Sequence, residues 1–374
     1  MRRFGTQGRV YPNKHYVVSR TDEIADFIDR IKDGRYIVLF APRQTGKTTF
    51  FRLALEALTT QDTTYFPIQL NFEGYKEYTS VNFYASLYRE IQKEIESIFQ
   101  TRKEVLSSAF VQFLANTKIT DHVSMGDFFD GLAEQLTTHF NGFQRVVLFI
   151  DSFHGIPLAL ENGFLAMLRH IYLTDKPHCP HSVCFVSVKN IIQRDMINAV
   201  SPFNIQDEFN VPNFTLGQVH ELLTQYTEEV GQVFETEVVE ALYKQTAGQP
   251  FLVNRLAQML TEELGIPKNA PMTMGHFSDA DTRILQEHNA NFENLITYIH
   301  RDPRFEGILM RIISHSNKGV FFDRYDERIA ELAINGIISE GNYGMCQIAN
   351  PIYFDYIKRV FNTQFKELEQ ESFS

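Results

Sequence analysis

Gly46-Lys47-Thr48 is the densest chemistry in the chain, because it sits between a five-residue apolar run, Tyr36-Ile-Val-Leu-Phe40, and an apolar helical stretch carrying Phe50, Phe51, Leu53, Ala54 and Leu58. A strand, a tight loop and a helix in that order form a phosphate cradle. Backbone N–H groups of Arg43, Gln44, Thr45, Gly46, Lys47, Thr48 and Thr49, in a loop that Pro42 opens, can wrap a β-phosphate, and the helix starting near Gly46 points its positive dipole end at the anion. Lys47 is placed to neutralise the β/γ oxygens and the Thr48 hydroxyl to ligate Mg²⁺. Ala41 stands where the G-x-x-x-x-G-K-[ST] pattern has its first glycine. The stretch reads as a nucleotide-binding loop.

Such a loop needs an acid at the end of an apolar strand to hold Mg²⁺ through water, and Arg145-Val-Val-Leu-Phe-Ile-Asp151 supplies Asp151. An apolar strand ending in Asp also arises simply as a turn cap, so Asp151 draws its meaning from the loop upstream. The next position, often a glutamate that polarises the attacking water, is Ser152. A serine hydroxyl without a partner is no general base near neutral pH. Two substitutes are in reach. His154 is one, although a lone His in Asp-Ser-Phe-His is more often a surface or capping residue. Glu73 is the better one, because it follows the apolar stretch Tyr65 to Phe72 and so faces the ligand-binding end of a parallel sheet.

The elements that must hold these groups follow from periodicity. Asp22 to Lys32 puts Ile24, Phe27, Ile28 and Ile31 on one helical face, and Ser80 to Phe99 carries a similar stripe. Ser124 with Asp127 resembles a capping box for the helix through Phe140, and Ser182 to Ser187 reads as a further strand. Strands alternating with helices predict an α/β fold, a parallel sheet with helices on both faces. From Thr215 to Leu264 the pattern turns helical, with Gln218 at the box position of Thr215 and a helix starting at Pro250. Gly265 to Asp281 is the linker candidate. Helices over Phe292 to His300, Pro303 to Ser314 and Tyr325 to Asn335 come next. A hairpin around Gly341-Asn342 and a helix after Pro351 complete what reads as a winged-helix module.

Composition narrows the function classes. The chain has 374 residues, enough for two or three domains, and 44% hydrophobic content typical of a folded protein. No apolar run reaches membrane-spanning length and the first residues lack a signal segment, so a cytoplasmic protein without membrane insertion is expected. Three cysteines without metal-ligand spacing read as reduced. The net charge is −11, and residues 286–374 hold nine basic and thirteen acidic residues, so nucleic acid is disfavoured and a protein partner or self-association is expected.

Together Val18-Ser19-Arg20-Thr-Asp-Glu23, the loop from Phe40 to Thr49, Leu148-Phe-Ile-Asp151, Ser201-Pro-Phe-Asn-Ile205, Phe214-Thr215, Thr246-Ala-Gly-Gln-Pro-Phe-Leu-Val-Asn254 and Ile348-Ala-Asn-Pro-Ile-Tyr353 are a signature. The chain resembles the bacterial AAA-like ATPases, close to the archaeal ATPase, origin-recognition and STAND groups. The resemblance implies a P-loop NTPase sheet of order 5-1-4-3-2 in residues 1–213, a helical lid and linker in 214–281, a winged-helix-like α+β module in 282–362 and a flexible tail in 363–374. It implies ATP and ADP as ligands with Mg²⁺, Arg20 near the adenine, Pro250 contacting base or ribose from the lid, and a γ-phosphate sensor among Lys189, Asn190 and Arg194, with Asn190 the preferred one. Ser152 in place of the glutamate common in relatives makes hydrolysis the expectation most at odds with the pattern. A slow ATPase acting as a switch is one reading, a non-hydrolysing ATP-binding scaffold the other.

Overall fold

A computed structural model describes residues 1–8, 10–40, 45–174, 178–186, 206–287, 289–314 and 319–361. The chain forms two compact units. One comprises Thr21–Phe40 and Phe50–Val211, the other Met1–Arg20, Ala41–Thr49 and Pro212–Ser374.

The first unit is built on a five-stranded parallel sheet of β1 (Tyr36–Phe40), β2 (Tyr65–Asn71), β3 (Arg145–Asp151), β4 (Ser182–Val186) and β5 (Gln206–Asn210). Its order, β2-β3-β4-β1-β5, is the expected 5-1-4-3-2 read from the other edge. Strand alternation assigns the faces. Tyr36, Val38, Phe66, Ile68, Leu70, Val146, Leu148, Ile150, Val183 and Phe185 share a core with α3 (Ser80–Arg102), α4 (Ser108–Asn116), α5 (His122–Phe140) and α6 (Leu158–Tyr172). On the opposite face Phe149 meets Phe51 of α2 (Lys47–Gln61) edge-on at 4.4 Å, and Phe27 of α1 (Thr21–Lys32) packs on Phe50 and Phe209. Central strands buried on both sides explain why β3 reads as an unbroken apolar run. The edge strand β2 tolerates Pro67, and its Gln69 N–H donates to Glu94 of α3 at 3.2 Å. Burial raises the Glu94 pKa.

Two helices, α4 and α6, are additional to the elements expected from the sequence. The capping box of α5 is one turn earlier than expected. Asp121 is the N-cap, its Oδ1 accepting from Ser124 N–H at 2.8 Å, and Ser124 Oγ accepts from Asp121 N–H at 3.0 Å, so Ser124 is the third helical residue and not the cap.

In the second unit one continuous core joins the N-terminal arm, the lid helices and the C-terminal module. The first twenty residues, expected with the sheet, pack here: Phe4 meets Tyr226 at a tilt and Tyr16 meets it edge-on, and Gly5 N–H donates to Asn254 Oδ1 at 3.1 Å. The lid is α7 (Leu216–Val230), α8 (Thr236–Thr246) and α9 (Pro250–Gln258), which continues into a π-helical turn, Met259–Glu263. Thr215 and Gln218 form the expected capping box, and Pro250 opens α9 as expected. The linker expectation is half corrected. α10 (Met274–Gln286) begins inside it, because Phe277, Ala280 and Ile284 bury one face in the lid core and override the polar, glycine-rich start.

The module has α11 (Ala290–Ile299), α12 (Pro303–Ser314) and α13 (Glu327–Ile334), then the antiparallel pair β6 (Ile338–Glu340) and β7 (Cys346–Ile348), and α14 (Pro351–Val360). Three helices, a hairpin and a final helix follow in the order expected from the sequence. The hairpin turns at Asn342–Gly344, one residue later than Gly341-Asn342, and Phe321 adds a bridge to Met345. The tail from 363 lies outside the described residues.

Candidate functional site

Strand β1 leads into the phosphate loop and α2 begins at Lys47. Gly46 has a φ of +82°, a left-handed turn that a Cβ would strain, although open space surrounds it. Thr45 is buried, Gly46, Lys47 and Thr49 are half-buried and Thr48 is exposed in the first turn of α2. Pro42, Arg43, Gln44 and Asn190, with Ala41, Lys189 and Arg194, lie outside the described residues.

Sheet register places the acid. Ile150 pairs with Phe185 and Phe185 with Val38, so Asp151 is one residue further along, level with Leu39 near the end of β1. Two strand spacings separate them, about 10 Å. Asp151 is half-buried and its Oδ1 accepts from Ser152 N–H at 2.7 Å. Ser152 itself is left-handed, with φ +54° and ψ +41°, which reverses the chain into a 3₁₀ turn, Phe153–Gly155. His154 is exposed on that turn.

Glu73 is carried next to Asp151 by the adjacent strand. Asn71 and Asp151 are register partners, and Phe72 N–H donates to Asp151 O at 3.1 Å. Beyond Phe72 the chain bends: Asn71 Oδ1 accepts from Glu73 N–H at 2.9 Å, and the amides of Gly74 and Tyr75 return to Phe72 O at 2.9 and 3.1 Å. Glu73 is exposed at this tip. Sequence reasoning missed Gly155, which locks the two loops together. A Cβ there would stand 1.8 Å from Phe72 O, and its φ is outside the left-handed range, so the requirement is space alone. The only signal was a glycine soon after the strand-end acid.

Oxygen donors, the Thr48 hydroxyl and the Asp151 carboxylate, suit Mg²⁺, which keeps waters and leans on substrate phosphates. Among the described residues no group of three or more His, Cys, Asp or Glu side chains could hold a metal by itself, and the three cysteines are buried free thiols.

In the other unit Arg20 and the Gly248-Gln249-Pro250 turn come together. Arg20 is 4% exposed, with its guanidinium 4.7 Å over the Phe214 ring and Nη1 donating to Pro212 O at 2.8 Å. Phe214 N–H donates to Gly248 O at 2.8 Å, and a Cβ on Gly248 would be 1.9 Å from Phe214 O. Pro250 is buried two residues beyond.

A family model described as AAA-like domain matches residues 6–359. The chain belongs to the AAA-like domain family. This AAA-like protein therefore stands among the ATP-binding P-loop ATPases. It is similar in fold to the Walker-type ATPase PABY2304 of Pyrococcus abyssi, with a TM-score of 0.65 and 16% identity over 95% of this chain and 99% of that one. Weaker likenesses are the Aeropyrum pernix ORC1 protein in complex with DNA (TM-score 0.40, 14% identity, 92% and 93% covered) and a variant of Thermotoga maritima RuvB (TM-score 0.43, 12% identity, 92% and 93% covered). No curated protein matches the chain. Among the described residues of this AAA-like protein no helix is long and apolar enough to cross a membrane.

Proposed function

We propose that the protein is a slow, Mg²⁺-dependent ATPase whose nucleotide state changes what the C-terminal module presents to a protein partner. One observation carries this reading: β1, which leads into residues 41–49, and β3, which ends in Asp151, are strands of one parallel sheet and end level with each other, while the position after the acid is a left-handed serine with no base to offer. In this reading residues 42–49 cradle the phosphates, Lys47 neutralises the β/γ oxygens, and Thr48 with Asp151 holds the metal. Bound Mg²⁺ would supply charge neutralisation for the phosphates. Glu73 takes the proton of the attacking water as the bond between the γ-phosphorus and its bridging oxygen breaks, giving ADP and phosphate. Arg20, through its stacking on Phe214, and Pro250 form the base-facing wall, and Asn190 senses the γ-phosphate. The acidic balance of residues 286–374 supports a protein partner over nucleic acid, and composition supports a cytoplasmic setting. As segments of sequence the proposed domains are 1–213, 214–281, 282–362 and 363–374, with residues 1–20 of the first packing on the core of the second unit.

Ser152 also favours a second reading, a non-hydrolysing scaffold that uses ATP as a structural ligand. Steady-state ATP turnover separates the two. Glu73→Gln should abolish turnover and Ser152→Glu should raise it, since general-base assistance is worth roughly a hundred- to ten-thousandfold. Turnover untouched by Glu73→Gln removes Glu73 from the reaction. If Ser152→Glu also does nothing, the scaffold is the better description. A parental rate above about 1 s⁻¹ would contradict the slow-enzyme reading.

A further inference from the structure

On and beside the C-terminal hairpin three large rings stand in water: Tyr343 at its tip is 97% exposed, Phe321, which bridges to Met345, 72%, and Tyr325, next to the Arg324 that pairs with Glu340, 85%. Strand alternation fixes the Phe321 ring there. Its neighbours Val320 and Phe322 pack on the core, while Phe322 N–H donates to Gly344 O at 2.8 Å and Cys346 N–H to Val320 O at 2.7 Å. Tyr343 occupies the tip with a φ of +58°, in the left-handed region where glycine or asparagine is the unstrained residue. A bulky ring kept in a strained conformation and fully in solvent contributes nothing to the folding of one copy. Beside the same hairpin lies a cavity of about 570 Å³ whose lining includes Ala247, Ile312, Met345, Ile348, Pro351 and Phe354. Met345, which lines it, is two residues from Tyr343.

Knob and hole on one hairpin are what an isologous contact requires, because a two-fold axis then brings each knob to the other hole. We propose that this hairpin is a two-fold interface between two copies of the chain, with Tyr343 of each copy entering the cavity beside β7 of the other. Rings of this type bury about 150–250 Å² each, so three per copy bring the pair to roughly 1,000 Å², the lower limit of a specific interface and the range of reversible dimers. The rim carries both signs. Arg324 and Glu340 are 3.9 Å apart with side chains 77% and 51% exposed, a loose pair free to exchange partners across the axis. A nucleic-acid partner fits this rim poorly, since Asp323, Asp326, Glu327 and Glu340 outnumber Arg324 and Arg328.

The chain has no tryptophan, so Tyr343→Trp gives a single reporter at the contact. Sedimentation of the full chain across a micromolar concentration series should show monomer passing to dimer, with the Trp emission moving to the blue in step. Tyr343→Asn, which suits the backbone, should weaken association at least tenfold, and Phe321→Ser should weaken it further. A monomer throughout the series would overturn the proposal. So would a dimer whose Trp emission stays that of an exposed ring, or one indifferent to both substitutions. A monomer that binds single-stranded DNA through the same rings would overturn it in favour of nucleic acid.

Discussion

Gly155 lies against the carbonyl oxygen of Phe72, 1.8 Å from where a Cβ would be built. This contact ties the turn after Asp151 to the loop bearing Glu73, so the spacing between the strand-end acid and the candidate base depends on one missing methyl group. Gly155→Ala must push the loops apart. Overpacking of this kind costs about 1–3 kcal/mol, and a displacement of about 1 Å near reacting groups can reduce rate roughly a hundredfold. The expected outcome is a lower melting temperature and a larger loss of turnover than of ATP affinity. A variant that matches the parent in both would show that the loops are not coupled through this contact.

Lys47→Ala should weaken ATP binding at least about tenfold, or about 1.4 kcal/mol, because triphosphate charge would then face backbone dipoles alone. Calorimetry measures this directly. Equal affinity in parent and variant would remove the phosphate-loop assignment.

Asp151→Asn tests the metal role. The carboxylate ends a buried strand and is itself half-buried, so the fold should survive while the Mg²⁺ requirement for binding or turnover shifts to higher concentration. Coincident magnesium titrations for parent and variant would exclude it.

Arg255 holds together the lid and the segment leading into the module. It donates to Glu287 from Nε at 3.0 Å and also bridges to Glu263, with its side chain 12% exposed. Burial alone would raise the Glu287 pKa, but hydrogen bonds from Arg255 and Asn289 outweigh it and hold the carboxyl below its usual range. The contribution to stability is therefore present above the unfolded pKa, about 4.3, and is lost as pH falls through the lower folded value. Arg255→Ala should cost about 3 kcal/mol near pH 7 by leaving two half-buried carboxylates without their cation. Urea unfolding at pH 7 and below pH 4 checks the sign: the gap between parent and variant should shrink in acid. A gap that widens would contradict the assignment.

The parallel α/β class, the strand ending at Asp151, the helix after Gly46 and the helices that follow Thr215 were legible because they are written in local terms. Apolar runs, helical stripes and a Gly-Lys-Thr after a strand need only neighbours within one or two turns to be read. Local cues also misplaced some boundaries. Ser124 has the chemistry of a cap, but Asp121 lies one turn earlier and takes the role. The segment from Gly265 looks like a linker until Phe277, Ala280 and Ile284 find a core to enter. What tertiary structure alone decided are relationships across long sequence separations: Gly155 against Phe72, Gly248 against Phe214, Arg20 folded onto the Phe214 ring, and Phe4 with Tyr16 against Tyr226 in the lid core. None leaves a periodic trace, because each depends on the space left when two distant backbones approach. A glycine in a sequence does not say whether it supplies a turn, as Gly46 does, or an absence of bulk, as Gly155 does.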